Sequence, residues 1–141
     1  MLENYKKFLV VVAHPDDETL GCGGTINKLS KLGKKIKVVF IAEGSSCRFK
    51  NYQKNKNKIL KSISQRTKMG VKALKKLGVK NYIFYNLECG KLNSLPITKI
   101  SNIIEKEIEK FRPEILITHS DFDVNMDHRT IYQACLQSCR P

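Results

Sequence analysis

The chain has 141 residues, the length of about one domain, and 41% of them are hydrophobic against 28% charged. This balance is typical of a globular protein and excludes a disordered chain. No stretch approaches the roughly 18 consecutive apolar residues of a membrane span, and the first residues lack the apolar core of a signal peptide. We therefore expect a cytoplasmic protein without a membrane span.

The net charge is +13, which raises nucleic acids, anionic lipids and anionic small molecules as partners. The basic residues are mostly lysines, and many of them lie between Lys50 and Lys61. Nucleic-acid binding favours clustered arginines and an aromatic stacking platform, and the sequence contains neither. We expect a solvated lysine-rich surface and no nucleic-acid partner.

The five cysteines are an odd number without a C-x-x-C pair or a secretory signal, which argues against a disulfide framework. Cys135 and Cys139 stand four residues apart on a predicted helix, a spacing that could suit a metal. No second ligand pair has the spacing of a structural zinc site, so small half-buried thiols are the favoured interpretation.

Strands and helices are predicted to alternate along the whole chain. The strands are recognised as short apolar, β-branched runs, and the helices by apolar residues at helical spacing. In chain order we predict a strand at 8–13, a helix at 19–32, a strand at 36–42, a mobile polar loop at 44–58, a helix at 59–77, a strand at 82–85, a helix at 97–111, a strand at 114–119 and a helix from 127 towards 138.

Such alternation predicts an α/β domain, with a mostly parallel sheet and helices on both faces. Ligands of these sheets bind beyond the carboxyl ends of the strands. The two densest polar clusters, at 14–18 and 119–129, follow the first and the fourth predicted strand. We expect both clusters at the same edge of the sheet.

A metal site is one interpretation of these clusters. His14 and Asp17 stand three residues apart in the turn after the first strand, and His128 opens the last helix. Two imidazoles and one carboxylate with a free position are typical of catalytic zinc. The alternative is that Asp16, Asp17 and Glu18 only stabilise a helix N-terminus, and spacing does not decide between the two.

Two further roles follow if a metal is bound. The metal would lower the pKa of its water towards roughly 7, and Asp16 could act as the general base that takes the proton. The resulting nucleophile suits an amide or ester carbonyl. Arg48 and Arg66 could bind a phosphate or another anionic group of a substrate, or they are ordinary surface charges.

The stretch AHPDDETLGCGG at 13–24 and the stretch THSDFDVNMDHR at 118–129 follow predicted strands in that order. They resemble the two signatures of the PIG-L/LmbE-like N-acetylglucosamine deacetylases, and the first is highly specific. The resemblance covers nearly all of residues 1–141. It implies a single LmbE-like deacetylase domain with a Rossmann-like α/β fold.

The resemblance also implies a zinc-dependent hydrolase that removes the acetyl group from an N-acetylglucosamine-type sugar conjugate. His14, Asp17 and His128 match the zinc ligands of the family, and Asp16 matches its general base. Zn²⁺ is the expected cofactor, with Fe²⁺ or cobalt as alternatives. The expected partner is a small-molecule sugar conjugate, and oligomerisation is left open.

The second signature departs from the family at one position. Many members carry a histidine where this chain has Asn125, and that histidine protonates or stabilises the developing oxyanion. Asparagine donates a hydrogen bond but supplies no proton at neutral pH. Asp127 is then a candidate catalytic or ring-orienting carboxylate, His119 is a candidate proton donor and substrate contact, and Asp123 is a second expected substrate contact.

Two other departures concern completeness. A Pro-Asp pair common in the family is replaced around Glu88 and Cys89, which affects the expected substrate contacts. The chain ends where members usually continue, so a C-terminally truncated fragment and a natural short form are both open. The alternative function is a weak or inactive relative that binds a sugar or a protein without turnover.

Overall fold

The computed structural model describes residues 2–140 and has an α/β architecture. Four strands alternate with four helices, and three short 3-10 turns lie at 2–4, 46–48 and 92–94. In chain order the main elements are β1 Lys7–Val12, α1 Asp17–Lys31, β2 Lys35–Ala42, α2 Tyr52–Lys76, β3 Asn81–Leu87, α3 Ile97–Phe111, β4 Ile115–Ile117 and α4 Met126–Ser138.

The four strands form one parallel sheet in the order β3-β2-β1-β4. The chain moves outwards from β1 to β3 and then returns to the other side of β1 with β4. The strand order therefore reverses between β1 and β4, and open sheets of this kind bind ligands at that reversal. The predicted α/β class with a mostly parallel sheet is confirmed.

The core consists of two layers, because successive side chains of a strand point to opposite faces of the sheet. Leu9 and Val11 of β1 face α3 and α4, where they join Ile104 and Ile131. Alternate residues of the same strand, among them Val10, face α1 and α2. Helices on both faces explain why β1 is apolar without interruption from Phe8 to its end.

One predicted boundary is wrong: α2 begins at Tyr52, so residues 52–58 of the predicted mobile loop at 44–58 are helical. The side chain of Asn51 accepts a hydrogen bond from the Lys54 N–H at 3.0 Å and caps the first turn. Residues 52–58 are mostly lysines and asparagines, and none of them is buried. An exposed helical segment carries no hydrophobic periodicity, which is why the sequence pattern missed it.

The strand bounds differ less. β3 extends beyond the predicted 82–85 on both sides, while β4 is limited to Ile115–Ile117. Because β4 ends early, residues 118–125 form an irregular segment that carries the polar side chains of the second motif. Within residues 2–140, no helix combines the length and the apolar character required to cross a bilayer.

Candidate metal centre and active site

The turn between β1 and α1 holds the first group of polar side chains. His14 is buried at its start, and its N–H donates to Asp17 Oδ2 at 2.7 Å. Asp16 has a φ of 145°, a backbone conformation that non-glycine residues rarely adopt. Buried Glu18 supports this conformation, since its Oε2 accepts the Asp16 N–H at 3.0 Å. A strained residue held in this way at a polar edge points to a functional role.

The second group lies at the start of α4. Asn125 caps this helix, because its Oδ1 accepts the Asp127 N–H at 2.9 Å. Asp127 and His128 then occupy the first turn, with Asp127 only 1% exposed. The helix packs on the sheet face that carries Leu9 and Val11 of β1, and its first turn therefore contacts the turn after β1. Residues separated by more than a hundred positions are brought into contact here.

Three ligand atoms form a nearly equilateral triangle. His14 Nδ1 lies 3.4 Å from Asp17 Oδ2, His128 Nε2 lies 3.3 Å from the same oxygen, and the two nitrogens are 3.4 Å apart. Ligands at ~2.0–2.1 Å from a tetrahedral zinc ion are ~3.3–3.4 Å from one another. The three edges therefore fit one face of a zinc coordination tetrahedron, with the fourth corner free.

The other nitrogen of each histidine faces a carboxylate. His14 Nε2 lies 2.9 Å from Asp127 Oδ2, and His128 Nδ1 lies 2.9 Å from Asp123 Oδ2. Such carboxylates fix the tautomer and the ring orientation of metal-binding histidines. They leave Nδ1 of His14 and Nε2 of His128 as the atoms available to a metal, which are the two nitrogens of the triangle.

Two other groups of three could also hold an ion among the described residues: His14 with Cys89 and Asp127, and His119 with Asp123 and His128. Each uses a histidine nitrogen that already faces a carboxylate. The triangle of His14, Asp17 and His128 uses the two histidine nitrogens that face no second-layer carboxylate. Its three interatomic distances also match those of a zinc tetrahedron. It is the group that fits zinc best.

The electrostatics favour a positive charge at this point. Burial lowers the pKa of His14, but hydrogen bonds with Asp127 and Asp17 outweigh burial and raise the pKa to about 11. Burial raises the pKa of both carboxyls, and their contacts with His14 outweigh it and hold each pKa below its usual range. The same negative potential would stabilise a divalent cation.

A cavity of about 500 Å³ lies between the start of α1, the turn at 46–48 and the middle of α2, and its lining includes Asp16 of the β1–α1 turn but none of the three ligand residues. Asp16, Arg48 and Arg66 line it, together with apolar Leu20 and Met69. Arg66 lies 2.8 Å from Asp16 Oδ2, so these two side chains form an ion pair at the cavity wall. Sequence reasoning placed all three polar residues at the site but did not foresee this pairing.

Gly44 lies between Arg66 of the cavity wall and His14 of the ligand triangle. It has a φ of 71°, and a Cβ at this position would lie 2.7 Å from Arg66 Nε and 3.0 Å from His14 Cβ. Only glycine allows the backbone to pass this close to both side chains. The left-handed conformation and the close packing explain why glycine follows Glu43.

His119 takes a different position from the other predicted substrate contacts. Its ring stacks on His128 with centroids 4.0 Å apart, and the Ala13 N–H donates to its Nε2 at 2.9 Å. An Nε2 that accepts a hydrogen bond carries no proton. Burial and the neighbouring His128 lower the pKa of His119 to about 4, so the ring is a neutral packing partner of His128.

Sequence reasoning missed Glu43, a carboxylate only 3% exposed. It accepts hydrogen bonds from the backbone of Ser45, Ser46 and Cys89, and from the Ser46 hydroxyl. It therefore joins the segment after β2 to the segment after β3. A glutamate directly before a glycine at the end of a buried strand was the available signal.

Comparisons with known proteins identify relatives of this chain. The family profile described as PIG-L: GlcNAc-PI de-N-acetylase matches residues 9–139. A protein of Escherichia coli (strain K12) described as "Uncharacterized deacetylase YaiS" is 30% identical over 142 residues, covering 96% of this chain and 69% of the relative. Both matches include the turn after β1 and the start of α4.

Two solved structures illustrate the range of the fold. The N,N'-diacetylchitobiose deacetylase from Pyrococcus horikoshii has a TM-score of 0.83 and 24% identity, covering 97% of this chain and 50% of that protein. GalB, the 4-carboxy-2-hydroxymuconate hydratase of Pseudomonas putida KT2440, has a TM-score of 0.77 and 23% identity, covering 94% and 55%. The chain spans about half the length of these structures. Because a hydratase shares the fold, the fold by itself does not specify the reaction.

The profile match, which extends over most of the chain and includes both signatures, shows that this protein belongs to the PIG-L family.

Proposed function

We propose that the chain is a zinc-dependent hydrolase that removes the acetyl group from an N-acetylglucosamine-type sugar conjugate. The observation that carries the proposal is the triangle of His14 Nδ1, Asp17 Oδ2 and His128 Nε2, whose edges suit a metal with one free position. Membership of a family described by a de-N-acetylase activity, and similarity to proteins named as deacetylases, support the reaction class.

The donor set fits zinc and does not exclude other ions. A zinc ion at this position would act as a Lewis acid towards an amide carbonyl and would acidify water at its free position. Two imidazoles and one carboxylate also suit Fe²⁺, so the metal supplied by the cell decides which ion is used. Asp127 and Asp123 hold the two imidazoles in the orientation that either metal needs.

Asp16 is the proposed general base. It directly precedes Asp17 in the β1–α1 turn, it lines the cavity, and the ion pair with Arg66 fixes the direction of its carboxylate. It would take a proton from the attacking water and deliver a proton to the departing amine, which requires no second acid. This sequence of transfers suits the chain because the His119 ring is neutral: its Nε2 accepts the Ala13 N–H, and the remaining proton on Nδ1 of a neutral imidazole is too weakly acidic to protonate an amine.

The remaining predicted residues have proposed roles in binding. Arg48 and Arg66 line the cavity next to Asp16, where a sugar or an anionic substituent of the conjugate would lie. The Oδ1 of Asn125 caps α4, which leaves its amide N–H groups as donors to a developing oxyanion. Asp123 would act through His128, as a positioning residue.

The test begins with the metal and then measures turnover. We expect one zinc per chain after zinc loading, acetate release from at least one N-acetylglucosamine conjugate, and the loss of both in His14→Ala. In Asp16→Asn, zinc content stays the same and turnover falls about 10²–10⁴-fold, the usual contribution of a general base. Asp121→Asn, an exposed carboxylate of the same edge, is the matched control and keeps both. A folded, zinc-treated sample without bound metal would contradict the proposal.

A second candidate is a sugar-binding relative without turnover. The observation in its favour is Asn125, whose side chain serves as a helix cap at the position where many family members have a histidine. Zinc binding together with saturable binding of an N-acetylglucosamine conjugate, and no acetate release at any pH, would favour this candidate over the enzyme.

A further inference from the structure

Two cysteines lie side by side behind the proposed metal site. Cys47 is exposed in the 3-10 turn after β2, and Cys89 is 6% exposed just after β3. A Cβ placed on Gly90 would lie 3.1 Å from the Cβ of Cys47, so the Cys47 side chain rests against the residue next to Cys89. The two free thiols are therefore neighbours.

The fold holds the two segments together through one carboxylate oxygen. Glu43 Oε1 accepts the N–H of Ser46 at 3.2 Å and the N–H of Cys89 at 3.0 Å. Cys47 directly follows Ser46, so both cysteines are anchored close to the same buried atom. Their proximity is therefore a property of the backbone and does not depend on the rotamers of two free side chains.

Cys89 also contacts a proposed metal ligand, and its neighbour Gly90 contacts the carboxylate that orients that ligand. Its Sγ lies 3.5 Å from His14 Nε2, the nitrogen that faces Asp127. The neighbouring Gly90 N–H donates to Asp127 Oδ2 at 2.6 Å. A displacement of Cys89 would therefore be transmitted to both partners of this histidine–carboxylate pair.

We propose that Cys47 and Cys89 are an oxidation site that closes reversibly to a disulfide, and that the disulfide weakens the hold on His14. With hydrogen peroxide as oxidant, the Cys47 sulfur attacks a peroxide oxygen, the O–O bond breaks, and a sulfenic acid forms while water leaves with the Cys47 proton. The Cys89 sulfur then attacks the Cys47 sulfur, the S–O bond breaks, and a second water leaves with the Cys89 proton. Two thiols are oxidised and one peroxide is reduced to two waters.

The environment of the pair affects the rate of the first step. Burial and the contact with Cys89 raise the pKa of Cys47 to about 11. Little thiolate is therefore present at neutral pH, and Cys47 reacts with peroxide more slowly than a free cysteine. The second step is intramolecular and fast by comparison, because the two thiols are already neighbours. Disulfide is thus the expected product, with little accumulation of sulfenic acid.

The first experiment identifies the product in the full chain. The zinc-loaded protein is treated with hydrogen peroxide and digested without reduction, and its peptides are identified by mass spectrometry. We expect a peptide pair joined through Cys47 and Cys89 that separates after treatment with dithiothreitol. Both cysteines remaining as thiols, Cys47 accumulating as sulfinic acid, or a cross-link through Cys139 in place of this pair would each overturn the proposal.

The second experiment measures the consequence, which rests on the metal site proposed above. Zinc affinity is determined by competition with a chelator, and we expect it to fall about 10-fold in the cross-linked protein, as when a partner of a metal-binding histidine is disturbed. Cys47→Ser prevents the fall, whereas Cys139→Ser, the substitution of another exposed thiol, does not. An unchanged affinity in the cross-linked protein contradicts the proposal. If the reduced protein binds no zinc, the proposed function is contradicted. The cysteine proposal is then tested by the peptide mapping of the first experiment alone.

Discussion

The substitution Asp127→Asn tests how the site holds its first histidine. The two carboxylate oxygens receive three contacts: His14 Nε2 and the Gly90 N–H at Oδ2, and the Leu92 N–H at Oδ1. Asparagine keeps the shape but supplies one oxygen and one NH₂ group. In its better orientation the oxygen replaces Oδ2, and the NH₂ group then faces the Leu92 N–H, which loses its acceptor.

The magnitude follows from this geometry. One buried donor without a partner costs about 1–3 kcal/mol, and the lost charge weakens the two remaining hydrogen bonds. We expect the free energy of unfolding of the metal-free chain to fall by about 2–4 kcal/mol. Zinc affinity should fall about 10–100-fold, because the carboxylate no longer orients the His14 ring or increases its basicity.

Two measurements separate stability from metal binding. Urea unfolding of the metal-free chain gives the stability change, and chelator competition under conditions where both proteins are folded gives the zinc affinity. Asp121→Asn is the control, since Asp121 is exposed and accepts a single hydrogen bond from Gln133. It should change stability by less than about 0.5 kcal/mol. If Asp127→Asn binds zinc as tightly as the parent, Asp127 has no role in orienting His14 and our reasoning fails.

Two further predictions concern the scaffold. Burial raises the pKa of Glu107, but hydrogen bonds led by Lys37 outweigh burial and hold the pKa below 4.5, so the carboxylate stabilises the fold above about pH 4.5 and loses this effect in acid. Glu107→Gln should lower the free energy of unfolding by about 3 kcal/mol at pH 7 and should make that free energy, measured by urea titration, less dependent on pH in acid. Glu105→Gln, a substitution of an exposed residue, should change neither. A pH dependence in Glu107→Gln equal to that of the parent would exclude this role. Gly44→Ala should reduce zinc affinity and turnover, whereas Gly33→Ala, with the same φ of 71° but open space around it, should cost only the ~1 kcal/mol of backbone strain. Equal effects of the two alanines on zinc affinity would show that the close packing at Gly44 is unimportant.

The fold class was predictable because its signals are local. A strand segment covered on both faces must be apolar, and β1 from Phe8 and β2 from Val38 have that composition. The carboxyl-end rule for parallel sheets then placed the two polar clusters at one edge, and this is where the structure has them. The exposed first seven residues of α2 were missed because a segment surrounded by solvent has no apolar periodicity.

The sequence by itself determined the elements, the parallel sheet and the two motifs that meet at its edge, since hydrophobic periodicity and residue type are local properties of the chain. Tertiary structure decided which side-chain atoms are in contact. It paired Asp127 with His14, Asp123 with His128 and Arg66 with Asp16, and it brought the segments of Cys47 and Cys89 together around Glu43. These pairings join segments that are distant in sequence, or depend on the direction of a side chain in a packed loop. The physical reason is that packing of whole elements sets such directions, and no spacing within one motif encodes them.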